Sequence, residues 1–335
     1  MSPENVSTLA SETIQGALHD AAARATLAPS IHNTQPWRLV VRPGHLDLYA
    51  DLDRHLPAID PSGRQMAISC GAAVFGARAA LAAARLDTVT TTLPDAGRPN
   101  LLATIAVSGV ATDPDEALGR LDAIAPARHS NRRQFARDPV PDAVVDLLAQ
   151  AAELEGAWLQ PLRDPEDRVT VATLSQHADG RQNADPAYRA ELRNWTTDDP
   201  ARRDGVPAAA VPHTTGAAHD DIPIRDFDTT GAGLLPGETH SRLTQTMVVL
   251  GTDGDNRSDW LAAGQALARV LLELTRAGFV ASILSQVIEE PGTRQQLRTA
   301  LRLPGHPALM LRIGSADSTP ATPRRLATEV ITIEG

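Results

Sequence analysis

Two long alanine-rich segments, residues 64–86 and 258–278, align without gaps when Cys70-Gly71 is laid on Ala263-Gly264. The elements around each segment recur in the same order. In the first half, Leu9, Ile14, Leu18, Ala22 and Ala25 fall near one face and predict a helix over residues 9–27. "WRLVV" (37–41) and "LDLYA" (46–50), around Pro43-Gly44, read as a hairpin. Residues 64–86 read as a long buried helix, and "LLATIAVSG" (101–109) as the strand after it. In the second half Pro141 opens the helix "PDAVVDLLAQAAELEG" with proline in its first turn, and "AWLQPL" (157–162) follows as a strand. The second long helix, residues 258–278, takes Ser258 as N-cap and Gly278 as its stop. After a further helix, "PALMLRIGS" (307–315) matches the strand at 101–109. A chain that repeats this order is expected to be a duplicated α+β unit. Its 335 residues also exceed the size at which one core usually stops growing.

Residues 194–244 interrupt the second half with segments such as "GVPAAAVPHTTGAAHDDIPI" and "TTGAGLLPGET", rich in turn formers and without periodicity. A loop of this length is a lid over a site or an irregular excursion.

Composition removes several classes of function. All 31 cationic side chains are arginines, so neither a P-loop lysine nor a Schiff-base lysine is available. Any phosphate must be held by arginine forks, helix N-termini or backbone amides. A net charge of −10 argues against binding a nucleic-acid backbone. The single cysteine, Cys70, excludes an internal disulfide framework and a thiolate zinc cage, and it reads as a small buried hydrophobe. No apolar run is read as a membrane span, and the polar N-terminus lacks the pattern of a signal peptide, so the expected location is cytoplasmic.

The motif search is also selective. "GAGLLPG" (231–237) fails the dinucleotide-binding spacing, and neither a G-x-S-x-G elbow nor an H-E-x-x-H helix is present. His213, His219, Asp220 and Asp221 are irregularly spaced and read as loop residues rather than metal ligands, as do His177 and Asp179. Two stretches stand apart. "APSIHNTQPW" (28–37) gathers Ser30, Asn33 and Gln35 where a helix stops, and amides that both donate and accept suit the edge of a flat heteroaromatic ring. "ARHSNRRQFARDPVP" (127–141) alternates Arg128, Ser130 and Arg132, so an extended backbone points all three to one side, as a phosphate grip requires. Near the C-terminus "TPRRLATEV" (322–330) adds Arg324 and Arg325 before a final strand.

These stretches together resemble the nitroreductase superfamily of FMN enzymes. "RHSNRRQF…PVP" is similar to its R-x-S-x-R opening, "APSxxNxQPW" to its ring-and-ribityl segment, and "PRR" to its closing phosphate arginines. The order "DWLxAGQAL", "QVIEEPGTR" and "PRR", with the duplication, most resembles the Acg branch. Ordinary members are homodimers in which each FMN takes the R-x-S-x-R motif from one subunit and the APSxxN segment from the other. Here the first half has only Arg24 before its APS segment, and the second half has "AAELEGAW" where that segment belongs.

The resemblance therefore implies a nitroreductase-like intramolecular pseudo-dimer, with central antiparallel sheets flanked by helices. Its halves are residues 1–125 and 126–335, with one FMN between them and a monomeric chain. It implies phosphate contacts from Arg128, Ser130, Arg132, Arg324 and Arg325, with His129 contributing its amide. Pro29, Ser30 and Asn33 are implied at the ring and ribityl chain, supported by Gln35, and the backbone near Ser285 and Gln286 beside flavin N5. Catalytic side chains are scarce in such proteins, because the flavin carries the chemistry. The implied activity is hydride transfer from NAD(P)H through FMN to a nitro, quinone or similar electrophile. The alternative is a flavin store whose lid, residues 194–244, stays closed over the ring.

Overall fold

The computed structural model describes residues 3–133, 135–197, 199–211, 225, 227 and 245–334. Leu18, Ala21, Ala22 and Ala25 recur every three to four residues, and that spacing turns one face of Pro3–Ala25 (α1) into the core. Trp37–Arg42 (β1) and His45–Ala50 (β2) form the expected hairpin, with Trp37 opposite Ala50 and Gly44 at φ +79° in the turn. Then follow Arg64–Ala83 (α2), Leu86–Thr92 (β3), Leu101–Val110 (β4) and Glu116–Asp122 (α3).

The second half begins with Asp142–Glu153 (α4), Trp158–Pro161 (β5), Pro165–Ala184 (α5) and Pro186–Asn194 (α6). Thr196–Thr197 (β6) and Val206–Pro207 (β7) pair in parallel inside the segment read as an insertion. Thr246–Thr252 (β8), Arg257–Arg276 (α7), Val280–Leu284 (β9), Gln286–Glu289 (α8), Pro291–Ala300 (α9) and His306–Gly314 (β10) complete the second unit. The chain ends in Ala327–Val330 (α10) and Ile331–Ile333 (β11).

The fold is α+β. One sheet runs β11-β1-β2-β4-β3 and the other β5-β8-β10-β9, with antiparallel neighbours throughout except the parallel pair β11 and β1. Through β11, with Ile331 beside Leu39, the end of the chain returns to the first half's sheet. That return carries residues 322–325 past the loop that follows α1.

The long helices α2 and α7 hold the halves together. Gly71 packs against the backbone of Leu261, and Gly264 against the backbone of Ile68. Under the alignment of Cys70-Gly71 with Ala263-Gly264, Ile68 corresponds to Leu261, so the two contacts are reciprocal. A self-complementary contact of this kind is what a two-fold relation between like helices produces. The cores exchange residues in the same sense: Ile68 of α2 joins the second half's cluster, while Leu261, Ala268 and Leu272 of α7 join the first half's. Cys70 is fully buried, and its thiol donates to the Pro36 carbonyl oxygen at 3.2 Å.

Several sequence expectations need correction. The first long helix ends at Ala83, not 86, because Arg85 takes a left-handed φ of +57° and Leu86 already pairs with Val110. The N-cap of α7 is Asn256, not Ser258: its side chain accepts from the Ser258 and Asp259 amides, and Asp259 returns a bond to the Asn256 amide. Pro141 stands at the N-cap of α4, just outside the first turn. Helices α5 and α6 have no counterpart in the sequence reading. In α5 the buried face is Val171, Leu174, Ser175, Ala178 and Gln182, a helical spacing whose polar and small members give little apolar signal. Both helices are announced instead by an Asp-Pro pair, with Asp164 and Asp185 as N-caps. Finally, α2 does have the length and apolarity of a membrane span, yet most of it is buried as the central core helix.

Candidate functional site

The loop after α1 is built from tight local bonds. Ser30 Oγ accepts from the Gln35 amide at 2.9 Å, and the Ile31 amide donates to Ser69 Oγ of α2 at 3.1 Å. His32, Asn33 and Gln35 all adopt positive φ, at 46°, 54° and 50°. For residues other than glycine such conformations cost about 1–3 kcal/mol each, and they persist only where surrounding contacts hold them. Asn33 supplies several of those contacts. Its Nδ2 donates to the Gly205 and Pro323 carbonyls, and its Oδ1 accepts from Arg324 Nη1 at 3.1 Å. One amide thus ties together the loop, the start of the insertion and the C-terminal segment. Gln35 works alongside it, donating through Nε2 to the Arg203 carbonyl and accepting at Oε1 from the Arg325 amide.

Facing this loop, residues 128–132 run extended beside β9. Ser130 bridges Ala281, and the Asn131 amide donates to the Ala281 carbonyl at 2.8 Å. Side chains therefore alternate: Asn131 turns to the Asp317 carbonyl, while Arg128, Ser130 and Arg132 line a cleft. That cleft holds about 1020 Å³, counting open solvent at its mouth. Pro29, Ser30 and Asn33 form part of its wall, with Gln65 and Ser69 of α2, Leu267 of α7, and Ser285 and Gln286 after β9. Both halves contribute to it.

Its electrostatics are one-sided. Arg128, Arg132, Arg225 and Arg324 line the cleft, and no carboxylate does so among the described residues. Burial, reinforced by the Arg324 charge, pushes Arg128 down to about 9; burial alone brings Arg324 to about 10. Burial and the nearby Arg225 lower Arg132 to about 10. All three stay cationic at neutral pH although burial disfavours their charge, an arrangement that an anion would stabilise. The cations form two groups. Arg128 and Arg324 both donate to the Leu27 carbonyl at the end of α1, whereas Arg132 lies over the Phe227 ring at 4.7 Å and feels Arg225. Arg128 Nη1 and Gln65 Nε2 are buried with no hydrogen-bond partner among the described residues. An unpaired buried donor costs about 1–3 kcal/mol, so each is a place for a ligand's acceptor.

The insertion enters the cleft through Arg225 and Phe227. Arg225 Nη1 donates to Tyr188 Oη at 2.6 Å and to His32 Nε2 at 3.0 Å. Its Nη2 donates to both Glu289 oxygens, at 2.7 and 2.6 Å, and to Ser285 Oγ at 3.3 Å. The Arg225 and Glu289 side chains are almost wholly buried.

The structure thus brings nine of the sequence-expected residues to one cleft: Pro29, Ser30, Asn33, Arg128, Ser130, Arg132, Arg324, Ser285 and Gln286. The other three do not line it. Arg325, expected at the phosphate, turns to Asp51 Oδ2 at 3.3 Å and the Gln35 carbonyl. Gln35 stands behind the loop in the supporting place expected of it, and His129, expected to contribute only its amide, is absent from the lining. His213, His219, Asp220 and Asp221 lie outside the described residues. His177 and Asp179, read as loop residues, stand instead within α5, where Asp179 accepts from Gln286 Nε2 at 2.9 Å; no cluster of potential metal ligands occurs among the described residues. Sequence reasoning missed Gln65, Ser69, His32, Arg225 and Phe227. Gln65 and Ser69 carried a signal, since they are polar residues four apart on an otherwise apolar helix turn.

Comparison with known proteins gives the family of the chain. The model of the nitroreductase family matches residues 125–315, from just before the alternating arginines to the end of β10. The uncharacterized protein Rv3127 of Mycobacterium tuberculosis is 32% identical over 333 residues, covering 94% of this chain and 93% of its own. Two more proteins of that organism bear the printed name "Putative NAD(P)H nitroreductase". Rv3131 is 33% identical, covering 92% of this chain and 88% of its own. The other, acg, is 30% identical, covering 93% and 94%.

Proposed function

The chain belongs to the nitroreductase family, in the branch of acg, and we propose that it is an FMN-dependent oxidoreductase passing hydride from NAD(P)H to a nitro, quinone or similar electrophile. The observation that carries this reading is a cleft shared by the two halves, in which four arginines of the second half face Pro29, Ser30, Asn33, Gln65 and Ser69 of the first and, among the described residues, no carboxylate lines the wall. Its unpaired buried donors, Arg128 Nη1 and Gln65 Nε2, fit a ligand that combines an anionic group with acceptor atoms on a ring.

Arg128, Arg324 and Ser130 would hold the phosphate. Pro29, Ser30, Gln65 and Ser69 would flank the ring and ribityl chain on one side, with Ser285 and Gln286 on the other. When bound, FMN supplies hydride chemistry at N5. The protein's part is to fix the ring against the α2–α7 interface and to limit water through Leu267, Ile283 and Phe227, which line the same cleft.

One FMN is expected per chain. In the second half, the loop at the place of the APS segment carries Glu155, which accepts from Arg78 Nη1 at 2.5 Å and Arg269 Nε at 2.9 Å. The cleft beside it is lined by Asp87, Asp113 and Asp115, and its one arginine, Arg78, is already paired with Glu155, a setting that disfavours a phosphate. The chain is then a monomeric pseudo-dimer with halves 1–125 and 126–335, the C-terminal strand returning to the first half. The test is a visible spectrum of the purified protein, repeated after NADPH is added. Flavin bands that bleach support the reading; their absence after reconstitution with FMN refutes it.

A second reading, flavin storage, is favoured by Arg225 and Phe227, which place the insertion within the cleft. A lid held there excludes a nicotinamide, because hydride transfer needs reacting atoms about 3–3.5 Å apart. Stopped-flow bleaching separates the two: slow reduction by NADPH with free reduction by dithionite marks storage, and fast reduction by NADPH marks the reductase.

A further inference from the structure

His32 is an additional buried residue in the wall of the cleft, 7% exposed and edge-on to Phe227 with centroids 5.5 Å apart. Neither ring nitrogen is free to choose its role. Arginine can only donate, so the 3.0 Å contact from Arg225 Nη1 makes His32 Nε2 the acceptor. A neutral imidazole carries its one proton on the other nitrogen, so Nδ1 is an N–H. That Nδ1 is buried and has no hydrogen-bond partner among the described residues. Burial, with the charges of Arg225 and Arg132, holds His32 well below the ordinary histidine range, so the ring stays neutral. Arg225 is itself anchored by Glu289, Tyr188 and Ser285, so it presents a fixed N–H to His32.

The charges that act on His32 are those of Arg225 and Arg132, while Arg128 and Arg324 form the other group at the end of α1. His32 therefore sits away from the proposed phosphate grip, within the loop proposed to flank the ring. We propose that His32 is a flavin-ring ligand whose tautomer is set by Arg225 of the insertion: Nε2 accepts from Arg225, and Nδ1–H donates to an acceptor atom of the isoalloxazine. This rests on the flavin reading of the cleft. It gives the insertion a role beyond covering the site, because seating Arg225 aligns a donor on the opposite wall.

The test uses the full-length protein reconstituted with FMN. ¹⁵N spectra of histidine-labelled protein, with His32 assigned by loss of its signals in His32→Asn, report the tautomer directly. Wild type should show Nδ1–H across pH 6–8, and Arg225→Met should move the ring toward Nε2–H. His32→Leu should bind FMN and riboflavin each about tenfold more weakly, the size of one lost hydrogen bond of ~1.4 kcal/mol. His32→Asn keeps an amide N–H near the position of Nδ1 and should recover most of that loss. Equal effects on both flavins separate a ring contact from a phosphate contact. A wild-type Nε2–H tautomer or imidazolium overturns the proposal, as does flavin binding by His32→Leu at wild-type strength. Wild-type protein that binds neither flavin overturns the flavin reading itself, and this inference with it.

Discussion

Replacing Gly71 by alanine tests whether the close crossing of α2 and α7 holds the two halves together. A Cβ on Gly71 would lie 3.0 Å from both Cα and the carbonyl carbon of Leu261, and inside the van der Waals shell of that residue's oxygen. Ordinary carbon–carbon contact needs about 3.5–4.0 Å, and the carbonyl oxygen is closer still than the carbons, so the helices must part by roughly 1 Å at the crossing. A gap of that size forfeits a quarter to a half of each neighbouring dispersion contact. Overpacking of this kind costs about 1–3 kcal/mol, and the upper end applies because the obstacle is backbone, which cannot change rotamer. Gly264→Ala meets the same obstacle at Ile68 and should cost a similar amount. The double variant should lose less than the sum, since one substitution already parts the helices. Gly180→Ala is the control: the site is exposed in α5, with no heavy atom within 4 Å of its Cβ position. It should gain about 0.5–1 kcal/mol from helix propensity. Urea unfolding of wild type and the four variants, with FMN retention read on the same samples, makes the comparison. Gly71→Ala unfolding at the wild-type midpoint, while Gly180→Ala shifts upward, would refute the close-crossing argument.

Other consequences follow from single residues. Arg128→Ala should weaken FMN binding by about 1.5–3 kcal/mol, roughly ten- to a hundredfold, and leave riboflavin unchanged; equal losses for both would remove Arg128 from the phosphate. Burial raises the Asp60 carboxyl to about 6 although it accepts from the Met66 amide at 2.9 Å. The folded state therefore holds its proton more tightly than the unfolded chain, and stability contributed by this group declines as pH rises from about 4 to 6. Asp60→Asn should gain on wild type by up to roughly 3 kcal/mol between pH 4 and pH 7; parallel pH profiles in urea would contradict this. Replacing residues 208–235 by a short Gly-Ser linker removes Arg225 and would strand the buried Glu289, so it is best combined with Glu289→Gln. That protein should be reduced faster by NADPH and should release FMN faster, measured by flavin bleaching and by recovery of flavin fluorescence. Unchanged rates would mean that the insertion does not govern access.

The legible parts of this chain are those whose signal is local. The hairpin at Pro43-Gly44 and the alternation of Arg128, Ser130 and Arg132 depend on neighbours in sequence, and the structure keeps both. The aligned glycines of the long helices were visible as a repeat, though their reciprocal contact was not. The unread parts depend on distant partners. Arg225 meets His32, Tyr188 and Glu289 from within an irregular polar segment, and no periodicity marks that meeting. Arg324 and Arg325 are adjacent and chemically alike, yet one turns to Asn33 in the cleft and the other to Asp51. Only the path of the chain from β10 to β11 decides between them. β3 went unread: alanines carried the helix reading to Leu86, the strand's first residue, past the left-handed backbone of Arg85 that ends the helix, and the polar run Thr90, Thr91 and Thr92 gave no apolar signal.

The central claim is that the two halves assemble one flavin site from complementary pieces. It is tested most directly by the number of FMN molecules bound by each chain. Saturating the protein with FMN, removing the excess, and comparing released flavin absorbance with protein concentration gives that number. The expected value is one, held by Arg128 and Arg324 and lost in the double variant Arg128→Ala, Arg324→Ala. A value of two, or a value of one that survives that double variant, would contradict it.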